Sequence, residues 1–147
     1  MTTDLSPSLE ALVDETVALF HRLRAVAAEV HGEGELSGAR RGVLTGLARL
    51  GPQTVPQMAA ARPVSRQHIQ TVVDSLAADR LVETFDNPAH KRSVLVRLTT
   101  RGRTAVRDIA RRESALLASL EVGVPAAEID AAAAVLKKFR TRLEERQ

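Results

Sequence analysis

Residues 54–76 read TVPQMAAARPVSRQHIQTVVDSL, and the punctuation of this stretch decides the fold. Thr54 stands where a helix cap belongs, with Pro56 in the first turn and Met58, Ala59 and Ala60 behind it. Ala61-Arg62-Pro63-Val64 is a turn, because a proline pushes the residue before it out of helical conformation. Ser65 then caps a second helix that runs to about Asp79. In that helix Ile69, Val72, Val73 and Leu76 fall at i, i+3, i+4 and i+7, one apolar stripe that must pack inward. At about 100° per residue, Gln67 and Thr71 project nearly opposite the stripe, with His68 and Gln70 on its flanks. A short helix, a tight turn and a second capped helix make a helix-turn-helix unit.

The flanking sequence completes the architecture. Upstream, Ser37 caps a helix carrying Val43, Leu44, Leu47 and Leu50, which stops at Gly51-Pro52. Before it, Ser6-Pro7 reads as a cap and first-turn proline for a helix of about six turns. Its apolar positions run from Leu9 to Val30, and His31-Gly32-Glu33-Gly34 ends it. Downstream, Leu81–Phe85 and Ser93–Leu98 are two extended runs joined by Asp86-Asn87-Pro88-Ala89, a hairpin and hence a wing. Two closing helices are predicted from about Thr100 to Leu120 and from Ala126 to Glu145. The fold class is therefore mainly α with one small β-hairpin.

Composition narrows the function. With no cysteine, disulfides, thiolate metal sites and thiol redox sensing are excluded. Met1 to Glu10 lacks a basic region followed by an apolar run, and the longest uncharged apolar run, Ala131 to Leu136, cannot span a bilayer. A cytoplasmic protein without membrane contact is the expectation. The formal net charge of +3 is unevenly spread. Ser37 to Arg103 holds 11 Lys and Arg against 4 Asp and Glu, a balance of +7, and the remainder carries −4. A basic middle between acidic ends suits a nucleic-acid reader on a neutral scaffold.

The chemistry of the helix and the hairpin tip points the same way. Gln67, His68, Gln70 and Thr71 are short or medium polar side chains that reach base edges in a major groove. Ser65 and Arg66 start the helix, where backbone N–H groups and a guanidinium both favour phosphate. At the hairpin tip, His90, Lys91 and Arg92 place three cationic or potentially cationic side chains beside a tight turn. Neighbouring like charges repel, so the cluster is useful where the hairpin lies along a phosphate backbone or a narrow minor groove.

On these motifs the chain resembles the MarR family of transcriptional regulators. The similarity lies in Thr54-Val55-Pro56-Gln57-Met58-Ala59, Val64-Ser65-Arg66-Gln67, Val72-Val73-Asp74-Ser75-Leu76, Leu81-Val82-Glu83 and Asn87-Pro88-Ala89-His90-Lys91-Arg92. It closes with Leu95-Val96-Arg97-Leu98-Thr99-Thr100-Arg101-Gly102. The resemblance implies one domain over residues 1–147, a winged helix-turn-helix lobe at 37–100, and intertwined dimerisation helices at 6–31 and 101–146. It further implies a homodimer on a near-palindromic double-stranded DNA operator, acting as a repressor released by a small aromatic or carboxylate effector. Arg92 matches the family's wing arginine, which enters the minor groove. Gln67, His68, Gln70 and Thr71 match contacting positions of its recognition helix.

Three positions depart from the family pattern. His90 stands where many members have an Asp that orients the wing arginine; a neutral imidazole still accepts a hydrogen bond, and a protonated one repels Arg92, which would couple the wing to pH. Asp79-Arg80 stands where the recognition helix usually meets a glycine, so Arg80 in a left-handed cap would be mildly strained. Arg62-Pro63 occupies a turn that often holds glycine.

The rival readings are weaker. There is no phosphate-binding glycine loop, no GxSxG and no HExxH, so no catalytic residue and no cofactor are expected. The histidines at positions 21, 31, 68 and 90 are scattered. A metal site at His31, Glu33 and Glu35 competes with a plain glycine-rich helix end, and no metal is expected. Three Phe and no Trp or Tyr give RNA bases little to stack on. The alternative that stays open is a winged-helix module that binds a protein partner through its hairpin.

Overall fold

The computed structural model describes residues 5–32 and 37–146; Glu33 and Glu35 lie outside them. The elements are α1 (Ser6–His31), α2 (Gly38–Leu50), β1 (Gln53–Thr54), α3 (Val55–Ala61), α4 (Arg66–Ala78), β2 (Val82–Asp86), β3 (Val94–Leu98), α5 (Thr100–Ser119) and α6 (Ala126–Glu144). Residues up to Ala115 form one compact unit and those from Leu116 a second. This is the mainly helical, winged arrangement expected from the sequence, with helix ends displaced by a residue or so.

Local chemistry explains the boundaries. Thr54 and Gln57 form a reciprocal capping box: Thr54 Oγ1 accepts from the Gln57 N–H at 3.3 Å, and Gln57 Oε1 accepts from the Thr54 N–H at 2.9 Å. The Ser65 hydroxyl accepts from the His68 N–H at 3.1 Å and starts α4. Gly51, at φ 78°, turns the chain out of α2. One expected cap is displaced. Leu5 occupies the cap of α1, and Ser6 and Pro7 are already inside its first turn.

The sheet is antiparallel in the order β1-β3-β2, one strand more than the expected hairpin. Val82 pairs with Leu98 and Asp86 with Val94, while Gln53 and Thr54 pair with Val96 and Leu95. Two residues are too short for an alternating pattern to show, so β1 is held by pairing rather than by its own sequence. All four residues of the α4 stripe are buried, against Val43, Leu44 and Leu47 of α2, Met58 of α3, Val96 of β3 and Ile109 of α5. A fully buried side chain of this size stabilises by about 1.5–3 kcal/mol, so this cluster fixes the lobe that carries α4.

The end of α4 confirms the expected left-handed cap. Arg80 sits at φ 57°, the Leu81 N–H donates to the Leu76 carbonyl at 2.9 Å, and the Arg80 N–H to Ala77 at 2.9 Å. That pair of bonds is a Schellman motif, with buried Leu81 and Leu76 as its apolar contact. Since a side chain in this conformation costs about 1–2 kcal/mol and glycine does not pay it, Arg80→Gly should raise stability by about 1 kcal/mol. A urea midpoint that stays put or falls would show that the exposed Arg80 side chain stabilises the cap.

Candidate nucleic-acid interface

Burial of the α4 stripe leaves Arg66, Gln67, His68, Gln70 and Thr71 exposed, together with Ser65 at the cap. These six positions share the solvent side of the helix's first two turns. Their side chains are not equally free. The Ser65 hydroxyl is occupied by capping, the Thr71 hydroxyl donates to the Gln67 carbonyl at 3.0 Å, and Gln70 Nε2 donates to Asp74 Oδ1 at 2.8 Å. Arg66 and Gln67 make no side-chain hydrogen bond or ion pair among the described residues.

The hairpin holds His90, Lys91 and Arg92 on an exposed turn. Asn87 closes its base: Oδ1 accepts from the Ala89 N–H at 3.0 Å, and Nδ2 donates to Ser93 Oγ at 3.0 Å. The Ser93 N–H in turn donates to the His90 carbonyl at 3.1 Å. Lower down, Arg97 stands 4.5 Å from the Phe85 ring centroid and donates to Glu83 at 2.8 Å, bracing β3 against β2. No carboxylate pairs with Lys91 or Arg92 among the described residues, and the His90 imidazole makes no bond to Arg92. A braced stalk with unneutralised charge at its tip suits contact with an anionic surface.

Two arginines have contacts that the sequence does not announce, Arg40 and the turn residue Arg62. Arg40 is buried in α2, where it bonds Ser75 Oγ and the Asp79 carboxylate and so ties α2 to the far end of α4. Arg62, in the α3–α4 turn, is half-buried and donates to the Gly42 carbonyl of α2. Burial first, and the neighbouring Arg49 second, lower its pKa from the usual arginine value. Arg62 also helps line a cavity of about 840 Å³, with Phe20, Leu23 and Arg24 of α1, Arg41 of α2, and His68 of α4. The signal for Arg62 was the glycine pair at 42 and 46 in α2, which no turn requires.

Among the described residues no group of His, Asp and Glu is gathered as metal ligands, and no helix is long and apolar enough to cross a membrane.

A crystal structure of a MarR family transcription regulator matches 99% of this chain and 98% of its own, at TM-score 0.76 and 28% identity. The chain has the fold of the MarR family. A mutant MarR of E. coli, solved with operator DNA, matches 93% of this chain and 99% of its own at TM-score 0.72 and 22% identity. BpsR of Bordetella bronchiseptica, whose DNA binding is regulated by 6-hydroxynicotinic acid, covers 86% of this chain and 98% of its own at TM-score 0.65 and 24% identity. At those identities the two proteins share the fold. The uncharacterized protein Rv2011c of Mycobacterium tuberculosis is 32% identical over 105 residues, 67% of this chain and 73% of that protein. No family model matches the chain. Its MarR-family structural neighbours are DNA-binding transcription regulators rather than enzymes.

Proposed function

We propose that this chain is a sequence-specific double-stranded DNA-binding repressor of the MarR family, which works as a homodimer and is released by a small organic ligand. The observation that carries the reading is the pairing, in one winged lobe, of the exposed polar face of α4 with the unneutralised Lys91 and Arg92 of the wing. Gln67 would read base edges, Arg66 and the start of α4 would meet phosphate, and Arg92 would enter the minor groove. The cavity beside α4 supports the effector half of the reading. Phe20 and Leu23 give it an apolar wall, and Arg24, Arg41 and Arg62 give it cationic groups, a lining suited to an aromatic carboxylate. Such a ligand would release DNA by favouring a dimer whose reading helices are wrongly spaced.

Binding to a randomised duplex library across a salt titration tests the reading. Arg92→Ala should cost about 1–3 kcal/mol of operator affinity with little change in thermal stability. Arg66→Ala should lower affinity for all sequences and reduce the salt slope by about one, because it removes a phosphate contact. Gln67→Ala should instead relax sequence preference. Wild-type affinity for duplex DNA that is absent at low salt would overturn the proposal in favour of a protein-binding wing.

A further inference from the structure

We infer that Arg62 is a positioning residue, a clamp that seats the α3–α4 turn on a glycine groove of α2 and thereby sets how α4 is presented. The inference rests on the reading of α4 as the DNA-contacting helix. Its evidence is steric. Gly42 and Gly46 lie one turn apart inside α2, where glycine is unfavourable, and neither has a positive φ that would require it. A Cβ built on Gly42 meets three Arg62 atoms, the nearest Nη1 at 3.3 Å. On Gly46 it meets Arg62 Nη2 at 2.8 Å, and the other atom within 4 Å is Arg62 Cζ. At both glycines the nearest atoms a Cβ would meet belong to the one Arg62 guanidinium.

Arg62 fills that space without a carboxylate partner among the described residues, and donates to the Gly42 carbonyl instead. Its own N–H and that of Val64 both donate to the Ala59 carbonyl at 3.3 Å, so the clamped side chain belongs to the segment that joins α3 to α4. Ser65 and the exposed face of α4 follow directly. Arg40 ties the other end of α4 to the same helix, which leaves α4 referenced to α2 at both ends.

The sign of one substitution tests the clamp. Glycine to alanine inside a helix ordinarily stabilises it. Here Gly46→Ala in the full-length protein should expel the Arg62 guanidinium, lower the melting temperature, and speed amide exchange at Arg62 and Val64 about tenfold. In an Arg62→Ala background the same change should raise the melting temperature. Arg62→Ala alone should reduce preference for the operator over random duplex about tenfold, with the salt slope unchanged. A Gly46→Ala protein that melts higher and exchanges as wild type overturns the clamp. So does a salt slope that falls by about one in Arg62→Ala with preference intact, which would make Arg62 a phosphate contact. If the wild-type chain binds no duplex, the reading of α4 fails, while the exchange and melting comparisons still decide the clamp.

Discussion

Gly102→Ala should destabilise the winged lobe by about 3 kcal/mol, at the upper end of overpacking costs. A Cβ on Gly102 would overlap the carbonyl oxygen of Leu81, lie 3.0 Å from its carbon and 3.3 Å from Leu98 Cδ2. Helix α5 starts here because Thr99 caps it: Thr99 Oγ1 accepts from the Gly102 N–H at 3.0 Å and itself donates to the Arg80 carbonyl at 2.7 Å. The Thr99 N–H donates to the Leu81 carbonyl at 3.1 Å. The end of α4, the base of the wing and the first turn of α5 thus meet closely, and the atoms nearest a Gly102 Cβ are backbone rather than the end of a flexible side chain. Relief would have to come from shifting Leu81, which is itself buried and part of the α4 cap. A loss of this size corresponds to a fall in melting temperature of roughly 10 °C for a protein this long. A melting temperature within a degree or two of wild type would mean that α5 can lift away from Leu81 at little cost.

What the sequence revealed and what it hid divide along contact range. The α4 stripe, the Thr54 and Ser65 caps, the Gly51 stop and the strained Arg80 are all encoded within a turn or two of chain, where periodicity and capping chemistry operate. The Arg40–Asp79 tie, the Arg62 seat on Gly42 and the contact of Gly102 with Leu81 join residues about 20 to 39 apart. The glycine pair in α2 marks a cleared spot, but no local pattern names the partner that fills it, and a basic residue in α2 or in a turn reads as solvated until its partner is known. The displaced cap at Leu5 has another cause. Serine and proline are both acceptable inside a first turn, so Ser6-Pro7 marks the region of the start rather than its residue. Among the proposed contact residues, exposure was legible, but engagement was not. Nothing in the spacing says that Thr71 and Gln70 already spend a donor within α4, which shifts the weight of base reading toward Gln67.

Truncation after Pro125 should abolish specific operator binding while the winged lobe stays folded. Helix α6 contains no buried residue; Ile129 and Leu143 are each 50% exposed, and Leu136 continues their stripe. Helix α1 likewise leaves Leu9, Val13, Val17, Phe20 and Leu23 exposed. Apolar stripes of this length on two helices are a liability in a monomer, and in the proposed homodimer a second copy covers them. Several such side chains, at about 1.5–3 kcal/mol each when fully buried, would make the dimer obligate. The core of the lobe draws on α2 to α5 and includes nothing from α6, so its removal leaves that core intact. A two-fold dimer would set its reading helices roughly 34–36 Å apart, one turn of DNA, and only that spacing lets both engage a near-palindromic site. A lone lobe would keep half the contacts and lose the register. Analytical ultracentrifugation of both proteins should therefore give a dimer for the full chain and a monomer or aggregate for the truncated one. Operator titration should show the truncated form binding operator and random duplex alike. A full-length protein that sediments as a monomer and still binds its operator tightly would remove the dimer from the mechanism, and with it the need for a palindrome.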